Sequence, residues 1–181
     1  MAPQSRRRFL VTAAAALPAL ALPDWLFGES LDPVAARALR FVHTHTGERL
    51  DVAYFSAGRY LPDALASVDH FLRDFRTGEV HVIEPALLDL LHRLAATAGA
   101  ARPFHVISGY RSPITNAALR ARSEGVAAGS LHMKGQAIDI RVADVPLAQL
   151  REAALAIRGG GVGYYPASNF VHVDVGRVRF W

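Results

Sequence analysis

Residues 136–142, Gln-Ala-Ile-Asp-Ile-Arg-Val, alternate in the manner of a half-buried strand. The alternation turns Ile138, Ile140 and Val142 toward a core and sets Ala137, Asp139 and Arg141 on the opposite face. The same period over residues 170–175 separates Val171, Val173 and Val175 from His172 and Asp174. With residues 162–165 and 177–181 these stretches predict a closing antiparallel meander. Upstream, residues 40–45 and 49–55 alternate around Thr46-Gly47, the pattern of a hairpin, and residues 104–108 read as a short buried strand.

Between these strands the period changes to that of helices. Residues 63–76 carry Leu65, Val68, Leu72 and Phe75 on one face, with Gly78 as the stop. A second helix begins at Pro85, a favoured first-turn residue, and runs through Ala98, burying Leu87, Leu88, Leu91 and Leu94. A third spans 114–123 and stops at Gly125. A fourth, 146–158, buries Leu147, Leu150, Ala154 and Ile157, with Asp144 as its N-cap and Gly159-Gly160-Gly161 as a flexible turn at its end. The sum is an α+β fold: a small, mostly antiparallel sheet with helices packed on the face opposite any polar site.

The candidate chemistry lies on the polar faces. His132, seven residues before Asp139, and His172, two before Asp174, offer two imidazoles and carboxylates from strands. A His or Asp on an alternating strand ordinarily faces solvent. The coincidence of His-x6-Asp with the later His-x-Asp gives the metal reading its weight. Two imidazoles and one carboxylate suit a catalytic zinc site, which takes three protein ligands and leaves the fourth position to water.

Three segments together, Ser-x-His-x-x-Gly-x-Ala-x-Asp at 130–139, Ser-Gly-Tyr-Arg-Ser at 108–112 and Val-His-Val-Asp at 171–174, resemble the zinc D-alanyl-D-alanine peptidase and hedgehog-like metallopeptidase family. Within it they are most similar to the periplasmic murein endopeptidase K group, and the likeness extends to His45-Thr-Gly-Glu48, residues 119–125 and 160–165. The resemblance implies His132, Asp139 and His172 as zinc ligands and peptidoglycan cross-links as substrate. It also implies that Arg111 is a cleft residue, binding a substrate carboxylate or the polarised carbonyl oxygen, and that His45 lines the cleft rim. Elsewhere in the family a His two residues, or an acid three residues, before the last ligand completes the site. Phe170 and Asn169 stand there in this chain, so the resemblance assigns no general base. Asp174, on the same strand face as His172, either accepts a proton from water or hydrogen-bonds a ligand imidazole.

The other histidines carry weaker signals. His43 is a strand residue of the hairpin, His70 and His92 are surface or packing residues of helices, and His81 falls in a linker. Tyr164 and Tyr165 border the cleft or pack on it.

Composition narrows the picture further. Of 181 residues, 51% are apolar, enough for one core. Ser5-Arg6-Arg7-Arg8-Phe9-Leu10, followed by an apolar run and Ala19-Leu-Ala21, resembles a twin-arginine signal. Pro18 and the shortness of the run argue against a membrane span. The expected organisation is a signal at 1–22, a tether at 23–34 and a single zinc peptidase domain at 35–181, exported to the periplasm without a membrane span. The formal charge of +4 falls to +1 once Arg6, Arg7 and Arg8 are removed, which excludes a basic stripe for nucleic acid. With no cysteine, a metal here needs imidazole and carboxylate.

The expected function is therefore zinc-dependent hydrolysis of amides in peptidoglycan stem peptides by a monomeric endopeptidase. Two alternatives share the sequence features. A D,D-carboxypeptidase or dipeptidase would use the same zinc in a cleft closed at one end. A noncatalytic, zinc-stabilised wall-binding module would explain the missing acid at 169 and 170.

Overall fold

The alternating stretches pair into one eight-stranded sheet. A computed structural model describes residues 36–122 and 126–181; the expected signal and tether lie outside them. The strands are β1 (Arg37–His43), β2 (Arg49–Ser56), β3 (Arg59–Tyr60), β4 (Phe104–Ser108), β5 (Ala137–Val142), β6 (Gly161–Tyr165), β7 (Phe170–Asp174) and β8 (Arg179–Phe180). Their order across the sheet is β3-β2-β1-β4-β5-β7-β6-β8. Neighbours run antiparallel except β1 with β4 and β6 with β8. This is the mostly antiparallel α+β arrangement that the sequence predicts.

The helices are α1 (Pro62–Phe71), α2 (Pro85–Ala98), α3 (Pro113–Arg120) and α4 (Leu147–Ile157). Proline opens the first three, where its missing N–H costs no helical hydrogen bond. The apolar faces of β5 and β7 supply Ile138, Ile140, Val171 and Val173, which join Leu87 and Leu91 of α2 and Leu150 of α4 in one buried cluster. Full burial of each such branched side chain contributes about 1.5–3 kcal/mol. This face therefore carries the stability of the sheet, and the opposite face is left for polar groups.

Three expectations are corrected. Helix α1 ends at Phe71 instead of continuing to residue 76. Asp74 takes over there: its Oδ1 accepts the Arg76 N–H (3.0 Å), its own N–H donates to the Glu79 carbonyl, and Gly78 N–H returns to the Asp74 carbonyl. A side chain that binds nearby backbone offers an alternative to helix, and here it wins. Asp144 does not cap α4; its carboxylate accepts the Ala101 N–H (2.9 Å), and Pro146 takes the N-cap position. Strand β8 does not extend an antiparallel meander. It crosses to β6 and runs parallel to it.

Asp74 is buried and also ties two distant segments together. Its Oδ2 accepts both the N–H (2.9 Å) and the hydroxyl (2.7 Å) of Ser112, the N-cap of α3. Burial works to raise the Asp74 pKa, but the hydrogen bonds from Thr115, Ser112 and the Arg76 backbone outweigh it and hold the carboxyl down at about 2. Since the folded value lies below the ordinary 3.8, the ionised carboxylate stabilises the fold above about pH 4, and that contribution fades as the pH falls toward 2. Asp74→Asn is expected to cost on the order of 2 kcal/mol at neutral pH, and less as the pH drops below about 4. Urea unfolding of both proteins across that range checks this; a difference independent of pH would show that the charge contributes nothing.

Candidate metal centre

Strand register brings the expected ligands together. Asp139 of β5 pairs directly with His172 of β7, so their side chains leave the same face of the sheet side by side. His132 comes from a 3-10 turn, Leu131–Lys134, and not from a strand as expected for the ligand set. The turn ends at Gly135 with φ 65°, a left-handed conformation that glycine adopts freely. Its carbonyl accepts the Glu84 N–H (2.9 Å), and a Cβ there would run into the Val82 carbonyl. Only glycine lets the ligand turn lie this close to the segment leading into α2.

The hydrogen bonds around the two imidazoles determine what the three groups can bind. His132 Nδ1 donates to the Gly109 carbonyl (2.7 Å), which leaves Nε2 without a proton. His172 Nε2 donates to Asp174 Oδ2 (3.0 Å), which leaves Nδ1 bare. These two bare nitrogens lie 3.1 Å apart, and they lie 3.2 and 2.9 Å from Asp139 Oδ1. Three lone pairs thus converge in a buried place, an arrangement that a cation relieves. Tetrahedral zinc with bonds of about 2.0–2.1 Å would space its ligand atoms roughly 3.3 Å apart, close to what is observed. The donor set fits the metal.

The titration behaviour carries the same demand for positive charge. Burial favours neutral imidazole and lowers the His132 pKa. Burial also opposes charge on His172, but the Asp139 and Asp174 carboxylates beside its two nitrogens prevail and raise its pKa, which makes the bare Nδ1 of the neutral ring a strong site for a proton or another cation. Burial would raise the Asp139 pKa, yet His132, His172 and Arg111 hold it far below the carboxylate range.

A second ring of groups fixes the first. Arg111 pairs through Nη2 with Asp139 Oδ2 and donates from Nε to Ser108 Oγ (2.8 Å), so Oδ1 is the oxygen that meets the histidines. Asp174 is fully buried and engaged on both oxygens. Its Oδ1 accepts from Gly161 N–H (3.0 Å), Gly176 N–H (2.8 Å) and Arg179 Nη1 (3.1 Å); its Oδ2 accepts from His172 and from Arg179 Nη2 (2.7 Å). Burial again works upward, and these bonds hold its pKa well below the usual range. The glycine run at 159–161 is more than a flexible turn: a Cβ on Gly160 would strike the Asp174 carbonyl, and one on Gly161 would strike its carboxylate. Sequence reasoning missed Ser108, Asp74 and Arg179. Gly176, a turn signal between Asp174 and Arg179, was the one local hint that the chain doubles back there.

The three ligand candidates line an open cleft of about 580 Å³. His45 and Tyr165 border it, as expected, and so do Arg76, Arg111, Phe170 and Trp181. Phe170 stacks on Tyr165 with ring centroids 4.6 Å apart, and Asn169 holds the turn before it at φ 54°. The wall is thus aromatic where an acid or a further His would complete the site. Tyr164 lies under the Arg151 guanidinium and packs on the core. His43 is a packing residue, its Nδ1 accepting the N–H groups of His45 and Thr46 and its ring edge-on to Phe71 and Phe75. His70 is exposed, His92 is half-buried, and His81 stacks on Tyr110. The described residues contain no helix long and apolar enough to cross a membrane.

Comparison with known proteins adds a likeness over nearly the whole chain. Residues 32–181 match the family model described as peptidoglycan L,D-endopeptidase MepK. The chain is 45% identical over 177 residues to peptidoglycan L,D-endopeptidase MepK of Escherichia coli K12, covering 98% of this chain and 97% of that protein. The probable peptidoglycan L,D-endopeptidase MepK of Haemophilus influenzae is 41% identical over 179 residues, covering 98% and 96%.

Proposed function

From its membership of the peptidoglycan L,D-endopeptidase MepK family, to which this chain belongs, we propose a zinc-dependent hydrolase that opens L,D amide cross-links between peptidoglycan stem peptides. The protein is a peptidoglycan endopeptidase. The observation that carries it is the convergence of three unprotonated donors, His132 Nε2, Asp139 Oδ1 and His172 Nδ1, at the floor of an open cleft.

Zinc bound there would supply Lewis acidity to a scissile carbonyl and lower the pKa of water toward about 7. The chain's own groups do the rest. Gly109 and Asp174 hold the two imidazoles in the tautomers that face the metal, as outer partners of ligand histidines generally do. Arg111 keeps Asp139 turned so that one oxygen faces the histidines, and its remaining donors border the cleft, where a developing oxyanion would lie. Asp174, with both oxygens committed and no exposure, acts by positioning His172 and not by taking a proton from water.

Work on peptidoglycan requires an extracytoplasmic location, which supports our reading of residues 1–22 as a twin-arginine signal and 23–34 as a tether delivering the domain to the periplasm. Digestion of intact cross-linked sacculi, with separation of the products, tests the function. Loss of L,D cross-links is expected. Release of terminal D-Ala alone would indicate a carboxypeptidase, and retained binding without any product would indicate a wall-binding module.

A further inference from the structure

We propose that Arg76 is a recognition site for a free carboxylate of the substrate's stem peptide, on the cleft wall beside the metal centre. The inference rests on the endopeptidase reading and deepens it. Three arginines line the cleft. Arg111 is paired with Asp139, and Arg179 with Asp174. Arg76 alone of the three has no carboxylate or other hydrogen-bond acceptor for its side chain among the described residues. The family resemblance gave Arg111 either a substrate carboxylate or the polarised carbonyl oxygen; the pairing with Asp139 commits much of that guanidinium elsewhere and leaves Arg76 as the available fork for a carboxylate.

Arg76 is also held in place. Its guanidinium carbon lies 4.1 Å from the centre of the Phe75 ring, and the same ring stacks on His45 at 4.3 Å and 11°. A cation over an aromatic face keeps its planar fork of donors while losing little side-chain freedom on binding. The loop below is fixed by Asp74, whose two oxygens hold the Arg76 backbone and Ser112, the residue after Arg111. One buried carboxylate thus sets the spacing between the two cationic positions.

The local field favours an anion. Asp139 is the single carboxylate among the described cleft-lining residues, and Arg111 and the metal ligands already surround it. Burial, with a smaller push from the neighbouring Arg111, disfavours charge on Arg76, a cost that Asp74 only partly offsets. A stem-peptide carboxylate laid against Arg76 would relieve it and anchor the chain with the scissile amide toward the metal. Guanidinium and carboxylate match as a bidentate pair.

The test is equilibrium binding, read from Trp181 fluorescence, of a peptidoglycan stem tetrapeptide with free carboxylates and of the same peptide with its carboxylates amidated, one at a time and together. The zinc-loaded protein should bind the free form about 10- to 100-fold more tightly than the form amidated at the recognised position. Arg76→Gln should abolish that preference while leaving zinc content and affinity for the amidated peptide unchanged; Arg76→Lys should retain only part of it. Equal binding of both forms by the parent protein, or an undiminished preference in Arg76→Gln, would overturn the proposal. Cleavage of cross-linked sacculi by the parent protein is scored separately, so the hydrolase reading can stand or fall without it.

Discussion

Replacing His132, Asp139 or His172 with alanine is expected to take zinc content from about one per chain to near none, and to abolish release of cross-linked products. A three-ligand site that loses one ligand cannot hold the metal against water and chelators. The three substitutions should nevertheless differ in what they do to the fold. Asp139→Ala strands the Arg111 guanidinium, whose side chain is only 13% exposed, and breaking such a pair from one side costs about 3–5 kcal/mol. His172→Ala leaves the Asp174–Arg179 pair intact and should unfold closer to the parent protein. Metal analysis after dialysis, together with urea unfolding, separates these effects. Full zinc content in any one variant would remove that residue from the site.

Asp174→Asn is expected to weaken zinc affinity by about 10- to 100-fold while leaving turnover close to normal once zinc is saturating. The carboxylate meets five donors, one of which is the His172 Nε2–H that fixes the metal-facing tautomer. An amide keeps the shape but loses the charge that matches Arg179, and its NH₂ cannot accept. A general base would leave the opposite trace, a rate loss of about 10²–10⁴ with zinc retained. Measuring zinc affinity and saturated turnover in the same preparation decides the matter; that second pattern would make Asp174 a proton acceptor.

The parts of this site that could be read from the sequence were those that depend on strand period. Alternation alone put Asp139 on one polar face and His172 and Asp174 on another, and direct pairing of β5 with β7 merged the two faces. Helix α2 was equally readable, because Pro85 marks the start of a leucine-rich stripe. What escaped depends on contacts between residues distant in sequence. Asp74 ends α1 because Ser112, 38 residues away, fills its other oxygen. Arg111 pairs with Asp139 across 28 residues, so its spacing from the strand could not reveal that the guanidinium was already occupied. The run Gly159–Gly161 looked like slack chain, since the Asp174 it cradles arrives from a strand formed later.

The margins of the sheet have a consequence for behaviour in concentrated solution. An open sheet offers unpaired N–H and C=O groups at each side, a template on which another chain can add a strand. Here both outermost strands, β3 and β8, are two residues long. Behind β3, the stretch of β2 left uncovered carries exposed Arg49 and Asp51, charges that a docking strand would have to desolvate. At the other side, Trp181 closes the ladder with bonds to Val162 and Tyr164. Each margin is too short or too charged to seed fibril-like stacking, so the sheet can stay open, with one face given to a cleft, without closing into a barrel to avoid aggregation.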